Sequence, residues 1–115
     1  MKFEVNYPLE RKNYILLRIS GRLDADTVSA LEEKLEDIIS DQSHIIIVSN
    51  MKDVEYAASG GIRVLVKYAK RISNRGGKFA LTDMNRKVSH TFDMLGFGEL
   101  FCTYKTEAEA LKNLE

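Results

Sequence analysis

The run His44-Ile45-Ile46-Ile47-Val48 limits this chain's possible folds more than any other stretch. It is apolar and β-branched with no polar alternation, the pattern of a strand covered on both faces. The sequence on either side supplies covering helices. Val28, Leu31, Leu35, Ile38 and Ile39 precede it at helical spacing, with Glu32, Glu33, Glu36 and Asp37 turned outward. Ile62, Leu65, Val66, Ala69 and Ile72 follow it as a second stripe, with Arg63, Lys67, Lys70 and Arg71 as a basic exterior. A buried strand between two amphipathic helices predicts right-handed crossovers and a largely parallel sheet.

The rest of the chain fits around that unit. Lys2 to Tyr7 alternates, with Phe3, Val5 and Tyr7 on one side, and Pro8 near its end is tolerable at a sheet edge. Arg11-Lys12-Asn13 reads as a turn into a second strand, Tyr14 to Ile19, giving a hairpin. Gly21 to Thr27 punctuates the chain, and Asp24, Asp26 and Thr27 are all helix-capping types. Asn74-Arg75-Gly76-Gly77 stops the second helix, and Lys78 to Thr82 is the next strand. Asp83 to Asn85 is a loop, and Val88, Phe92 and Leu95 mark a short third helix ended by Gly96. Leu100 to Tyr104 is a last strand. Thr106-Glu107-Ala108-Glu109 has the form of a capping box and opens a last helix carrying Ala110, Leu111 and Leu114. The order β-β-α-β-α-β-α-β-α predicts one α/β domain over residues 1–115, a small mixed, mostly parallel sheet with helices packed on it. In so small a sheet the helices need cover only one face well.

Composition excludes several classes of function. Seventeen basic and 17 acidic residues cancel, which argues against direct nucleic-acid binding. The acidic face of the first helix reads as solvated, and the basic face of the second as turned to water or to an acidic partner. The single cysteine, Cys102, gives neither an internal disulfide nor a metal-site spacing, and reads as a core or edge thiol. Asp24 beside Asp26 makes a weak metal pair, better read as a helix start. Gly76-Gly77-Lys78 lacks the phosphate-loop pattern and Gly60-Gly61 the dinucleotide fingerprint, so no cofactor is expected. The start Met1-Lys2-Phe3-Glu4 does not resemble a signal peptide and no apolar run is long enough to span a bilayer, so no membrane association is expected and the cytoplasm is the expected location.

Ser59, in Asp53-Val54-Glu55-Tyr56-Ala57-Ala58-Ser59-Gly60-Gly61-Ile62, is expected where a loop becomes the second helix. Serine is a favoured N-cap, so a capped helix start is one reading. The other is an exposed hydroxyl at a positive helix terminus, open to a modifying enzyme or a partner. A nucleophile elbow would also place a serine there, but it needs a histidine base and an orienting acid. The chain has only His44 and His90, with His44 expected at the end of the sheet away from Ser59, so no catalytic residue is expected.

With these elements in order, three segments carry a resemblance. Gly21-Arg22-Leu23-Asp24-Ala25-Asp26-Thr27 looks like a G-x-[LI]-D-x-x-T entry into a first helix. Asp53 to Leu65 looks like D-[LV]-x-[YF]-[IM]-D-S-S-G-L-G-V-L, and Thr91 to Phe97 like L-F-D-[ML]-x-G-L. Together they resemble the STAS domain, specifically the bacterial anti-sigma factor antagonists, with matching spacing over nearly the whole chain. The resemblance implies a phosphate acceptor at Ser59 and an anti-sigma factor that is also a serine protein kinase as partner. In that family the unphosphorylated protein binds the anti-sigma factor and frees sigma, and phosphorylation blocks binding. It also implies a docking surface over Asp24, Ser59, Gly60, Gly61, Arg63 and Lys67. The chain departs from the family pattern at Ala58, where aspartate precedes the acceptor, at Gly60, where a second serine stands, and at Asn50, where an acidic residue ends the preceding strand. A diverged, unphosphorylated STAS interaction module, acting as a subunit or scaffold in another complex, is the alternative implied by those departures.

Overall fold

The computed structural model describes residues 1–8, 11–39, 44–97 and 100–114. The strands are β1 (Lys2–Asn6), β2 (Tyr14–Leu23), β3 (Ile46–Ala57), β4 (Lys78–Thr82) and β5 (Cys102–Tyr104). The helices are α1 (Val28–Ile39), α2 (Ser59–Asn74), α3 (Arg86–Met94) and α4 (Glu107–Asn113). The five strands lie in sequence order in one sheet. β1 runs antiparallel to β2, while β2, β3, β4 and β5 are parallel neighbours. This is the α/β architecture expected from the alternation.

The main core lies on the face carrying α1, α2 and α3. There Ile15, Leu17, Ile19 and Ile47 of the sheet meet Leu31 and Leu35 of α1, Leu65, Tyr68 and Ile72 of α2, and Phe92 of α3. A smaller cluster of Val48, Ala80, Ala110 and Leu114 seats α4 on the opposite face. Helices therefore cover both faces, unevenly, with only one face covered well. Val48 and Ala80 point away from α2 and need an apolar lid of their own. α4 is also tied down at its end: the Tyr14 hydroxyl donates to the Leu114 carbonyl, and an Arg11 N–H donates to the Leu111 carbonyl at 3.0 Å.

Several boundaries differ from the sequence reading. Tyr7 falls outside β1 and is exposed, because β1 ends at Asn6. His44 is exposed with φ 59, a left-handed residue just before β3 and not part of it. Leu100 and Phe101 precede β5, and Leu95 is exposed at the C-cap of α3. The largest differences are in β2 and β3. β2 continues through Gly21 to Leu23, and β3 runs on through the segment read as a loop, to Ala57. The two extensions pair with each other after register shifts near Ser20 and Gly21, where Gly21 takes φ 114. Val54 and Ala57 are buried there while Glu55 and Tyr56 face outward.

The helix ends follow local chemistry. Asn85 caps α3, its side chain accepting the Val88 N–H at 2.8 Å, and Thr106 caps α4 by accepting the Glu109 N–H at 3.1 Å. Gly76 leaves α2 at φ 79, the left-handed conformation that ends a helix without a Cβ penalty.

Candidate functional site

β3 delivers the chain to α2 with one residue between them. That residue, Ala58, is the N-cap in extended conformation (φ −96, ψ 161), and it makes no side-chain capping bond. Ser59 is therefore the first residue inside the helix and not its cap, as the capping reading had it. The cause lies upstream: pairing with β2 holds β3 extended as far as Ala57, and the Ala58 N–H donates to the Leu23 carbonyl at 2.8 Å. The helix thus begins one position before serine could cap it. Ala58 offers no side-chain acceptor to the orphan N–H groups of the first turn, so this positive terminus is without the usual neutralising oxygen. Ser59 and Gly60 are exposed.

The same Leu23 contact brings the Asp24 turn beside the start of α2. Asp24 accepts the Asp26 N–H at 3.0 Å and faces the Arg22 guanidinium at 3.4 Å. Desolvation pulls the Asp24 carboxyl pKa upward, but the Asp26 N–H, the Arg22 guanidinium and Thr27 outweigh it and hold that pKa below the ordinary value. Thr27 knits the turn together, accepting the Asp24 N–H at 3.0 Å and donating its hydroxyl to the Arg22 carbonyl at 2.7 Å. The helix-start reading of Asp24 and Asp26 fits this geometry, and no group of three or more candidate metal ligands occurs among the described residues.

The two glycines differ in kind. Nothing lies within 4 Å of where a Gly60 Cβ would stand, whereas a Cβ on Gly61 would come within 2.5 Å of Leu23 Cγ. Gly61, also in the expected docking set, is buried and shapes the junction from beneath. Arg63 is exposed and has no ion pair among the described residues. Lys67 is exposed but pairs with Glu32 of α1 at 3.2 Å, and Arg71 pairs with Glu36 at 2.6 Å. The acidic face of α1 is thus not merely solvated. Part of it neutralises the α1-facing cations of α2.

Asn50 does not stand near Ser59. It is buried inside β3, seven positions before Ala57, roughly 23 Å of strand at about 3.3 Å per residue. Its side chain accepts the Lys52 N–H at 2.9 Å and donates to Glu107 at 3.5 Å. Only Ala58, of the two departures involving carboxylates, adjoins the serine. His44 lies against Gly76, beyond the far end of α2, and His90 is exposed on α3. Sequence reasoning missed the pair beside the junction formed by Arg22 and Tyr56, whose guanidinium sits 4.6 Å from the ring centroid. With Leu23 and Ala57 recognised as inward positions of paired strands, alternation would have put both outward.

Both the sequence and the fold resemble known proteins. The family model described as "STAS domain" matches residues 8–110. The chain is 28% identical to the anti-sigma F factor antagonist of Paenibacillus polymyxa over 114 residues, covering 96% of this chain and 97% of that one. In fold it matches the crystal structure of an anti-sigma factor antagonist from Mycobacterium paratuberculosis with TM-score 0.83 and 21% identity, covering 96% of this chain and 91% of that one. It also matches the Bacillus cell fate determinant SpoIIAA in its phosphorylated form, with TM-score 0.73, 18% identity and coverage of 99% and 100%. No helix among the described residues is long and apolar enough to cross a membrane.

Proposed function

The chain belongs to the STAS domain family, and from that premise we propose that it is a regulator of the anti-sigma factor antagonist type, binding an anti-sigma factor that is also a serine kinase in a partner switch set at Ser59. The observation that carries this reading is the exposure of Ser59 at the first position of α2, the place that the motif resemblance implies for the acceptor. The docking surface comprises Ser59, Gly60, the Asp24 turn and Arg63, with Lys67, paired to Glu32, at its border and Gly61 setting its shape from beneath. The chain performs no catalytic step itself. The partner supplies the kinase: the terminal phosphoryl of ATP passes to the Ser59 oxygen, ADP leaves, and the hydroxyl proton passes to a base on the partner.

The switch rests on an asymmetry between free and bound states. A phosphate carries close to two negative charges and strong acceptor oxygens. In the free protein the uncapped N-terminus of α2 tolerates it. In a closely packed interface the group must shed its water and displace contacts made by a small serine. A loss of about 3 kcal/mol would weaken binding more than a hundredfold, enough for partner exchange. Ala58 removes a carboxylate that would repel the phosphate, and with it a group that could orient the hydroxyl during transfer. That substitution favours the second reading, a constitutive STAS interaction module without phosphoryl chemistry.

The test is incubation with the cognate kinase and ATP, followed by mass mapping and a binding measurement. Phosphate on Ser59, tight binding by Ser59→Ala without phosphate uptake, and weak binding by a correctly folded Ser59→Asp are expected. Phosphate elsewhere, or none while binding stays tight, would reject the switch in favour of the constitutive module.

A further inference from the structure

The two flanks of α2 differ in charge and in polarity. At 100° per residue, Lys67 and Arg71 lie on the flank toward α1, where Glu32 and Glu36 hold them. Ser59, Lys70 and Ser73 lie on the other flank, with Arg63 close to the crest. Across from that flank is α3. Its Ser89 and Asp93 side lines a cleft of about 660 Å³ with Tyr104 and Glu109 of the β5–α4 region. α2 links β3 to β4 and α3 links β4 to β5 on the same face, so by helical periodicity the side of α3 bearing Lys87, Met94 and Leu95 is the one turned toward α2. Arg63, Lys70 and Lys87 are exposed and have no ion pair among the described residues. Met94 is 73% exposed, Leu95 38% and Leu100 42%, and Leu100 lines a hollow of about 290 Å³ together with Ala69, Lys70 and Ser73 of α2. An apolar strip flanked by uncompensated cations is unusual on a chain whose net charge is zero.

Resting on the reading that a partner docks at the Ser59 end of α2, we propose that the groove between α2 and α3 seats an amphipathic helix of that partner, one whose apolar face is flanked by carboxylates. The apolar side lies on Met94, Leu95 and Leu100, and the acidic flanks meet Arg63, Lys70 and Lys87. Charge complementarity selects this occupant, because a basic or neutral helix would leave the three cations facing like charge or nothing. It also moves the expected contact surface. Lys67, already neutralised by Glu32, contributes little, while Lys70 and Lys87 become contacts. Ser59 stands at the upper end of the same flank, so a phosphate there would add negative charge where the acidic helix lies.

The test titrates a synthetic leucine-faced helical peptide with glutamate flanks into the isotope-labelled chain, beside a twin with lysine flanks. Perturbed amide resonances at Lys70, Met94 and Leu100 are expected with the acidic peptide only. The pair Lys70→Glu and Lys87→Glu should weaken its binding at least about tenfold, and Lys67→Glu less than about threefold. The titration contains neither kinase nor ATP, so failure here is distinct from failure of phosphate transfer at Ser59. Equal binding of both peptides, binding of neither, or perturbation confined to α1 or α4 would overturn the proposal. So would concentration-dependent self-association abolished by Met94→Ser, which would make a second copy the occupant.

Discussion

Two adjacent glycines separate surface from packing at single-residue resolution. A methyl on Gly61 would strike the Leu23 side chain and come within 3.0 Å of its backbone carbon, which cannot swing aside as a side chain can. Gly61→Ala is expected to cost about 1–3 kcal/mol by overpacking. Gly60→Ala meets nothing and replaces glycine with a better helix former, and should stabilise by up to about 1 kcal/mol. Urea midpoints of the two variants check this. A neutral Gly61→Ala would mean that Leu23 and α2 are less tightly joined than the geometry indicates. The stake is functional, since the Leu23 contact is what carries the Asp24 turn to Ser59.

α1 and α2 are clasped by a polar cluster over an apolar seam. The Tyr68 hydroxyl donates to Glu36 at 2.8 Å while its ring is buried in the core, and burial together with the Glu36 carboxylate pushes the phenol's pKa up. The Tyr68 hydroxyl, and then Arg71, hold the Glu36 carboxyl below its ordinary value of 4.5. A carboxylate depressed in the folded state stabilises above its unfolded pKa, and that contribution fades as pH falls through the folded value. Stability should therefore decline below about pH 4.5, and Glu36→Gln should show a smaller drop than the unaltered chain between pH 7 and pH 3. Thermal unfolding at the two pH values measures it. An equal drop in both chains would remove Glu36 from the acid response. The α1–α2 clasp also explains why the basic exterior of α2, uniform in sequence, is divided in space into a spent flank and an available one.

Across the whole molecule, the core is unequal on the two faces of the sheet. Leu65 is fully buried in the large cluster, so Leu65→Ala should cost about 2–5 kcal/mol. Leu114 anchors α4 in the much smaller cluster on the other face. Leu114→Ala should chiefly speed hydrogen exchange in Glu107–Asn113, leaving Ile46–Asn50 protected, because α4 can open without breaking the main core. Loss of protection throughout the sheet would show the two clusters to be one cooperative unit.

The sequence by itself determined the element order, the parallel sheet, the core stripe of α2 and the family. These rest on local periodicity and on motif spacing, both of which are written along the chain. Leu31 to Ile39 and Ile62 to Ile72 show it plainly, since the apolar spacing that predicted each helix is the spacing the core buries, with only Val28 left half-buried. Other features depended on which segments meet. Asp53 to Ala57 looks like a loop in isolation and becomes strand only because the end of β2 lies beside it, and that pairing, not the residue's capping preference, makes Ala58 the cap and Ser59 the first helical residue. Asn50 is adjacent to Ser59 in motif but far from it along a strand. Lys67 and Lys70 look alike in sequence and differ because Glu32 is folded against one and not the other. Pairing, distance and neutralisation are properties of contacts between remote residues, so only the tertiary structure decided them.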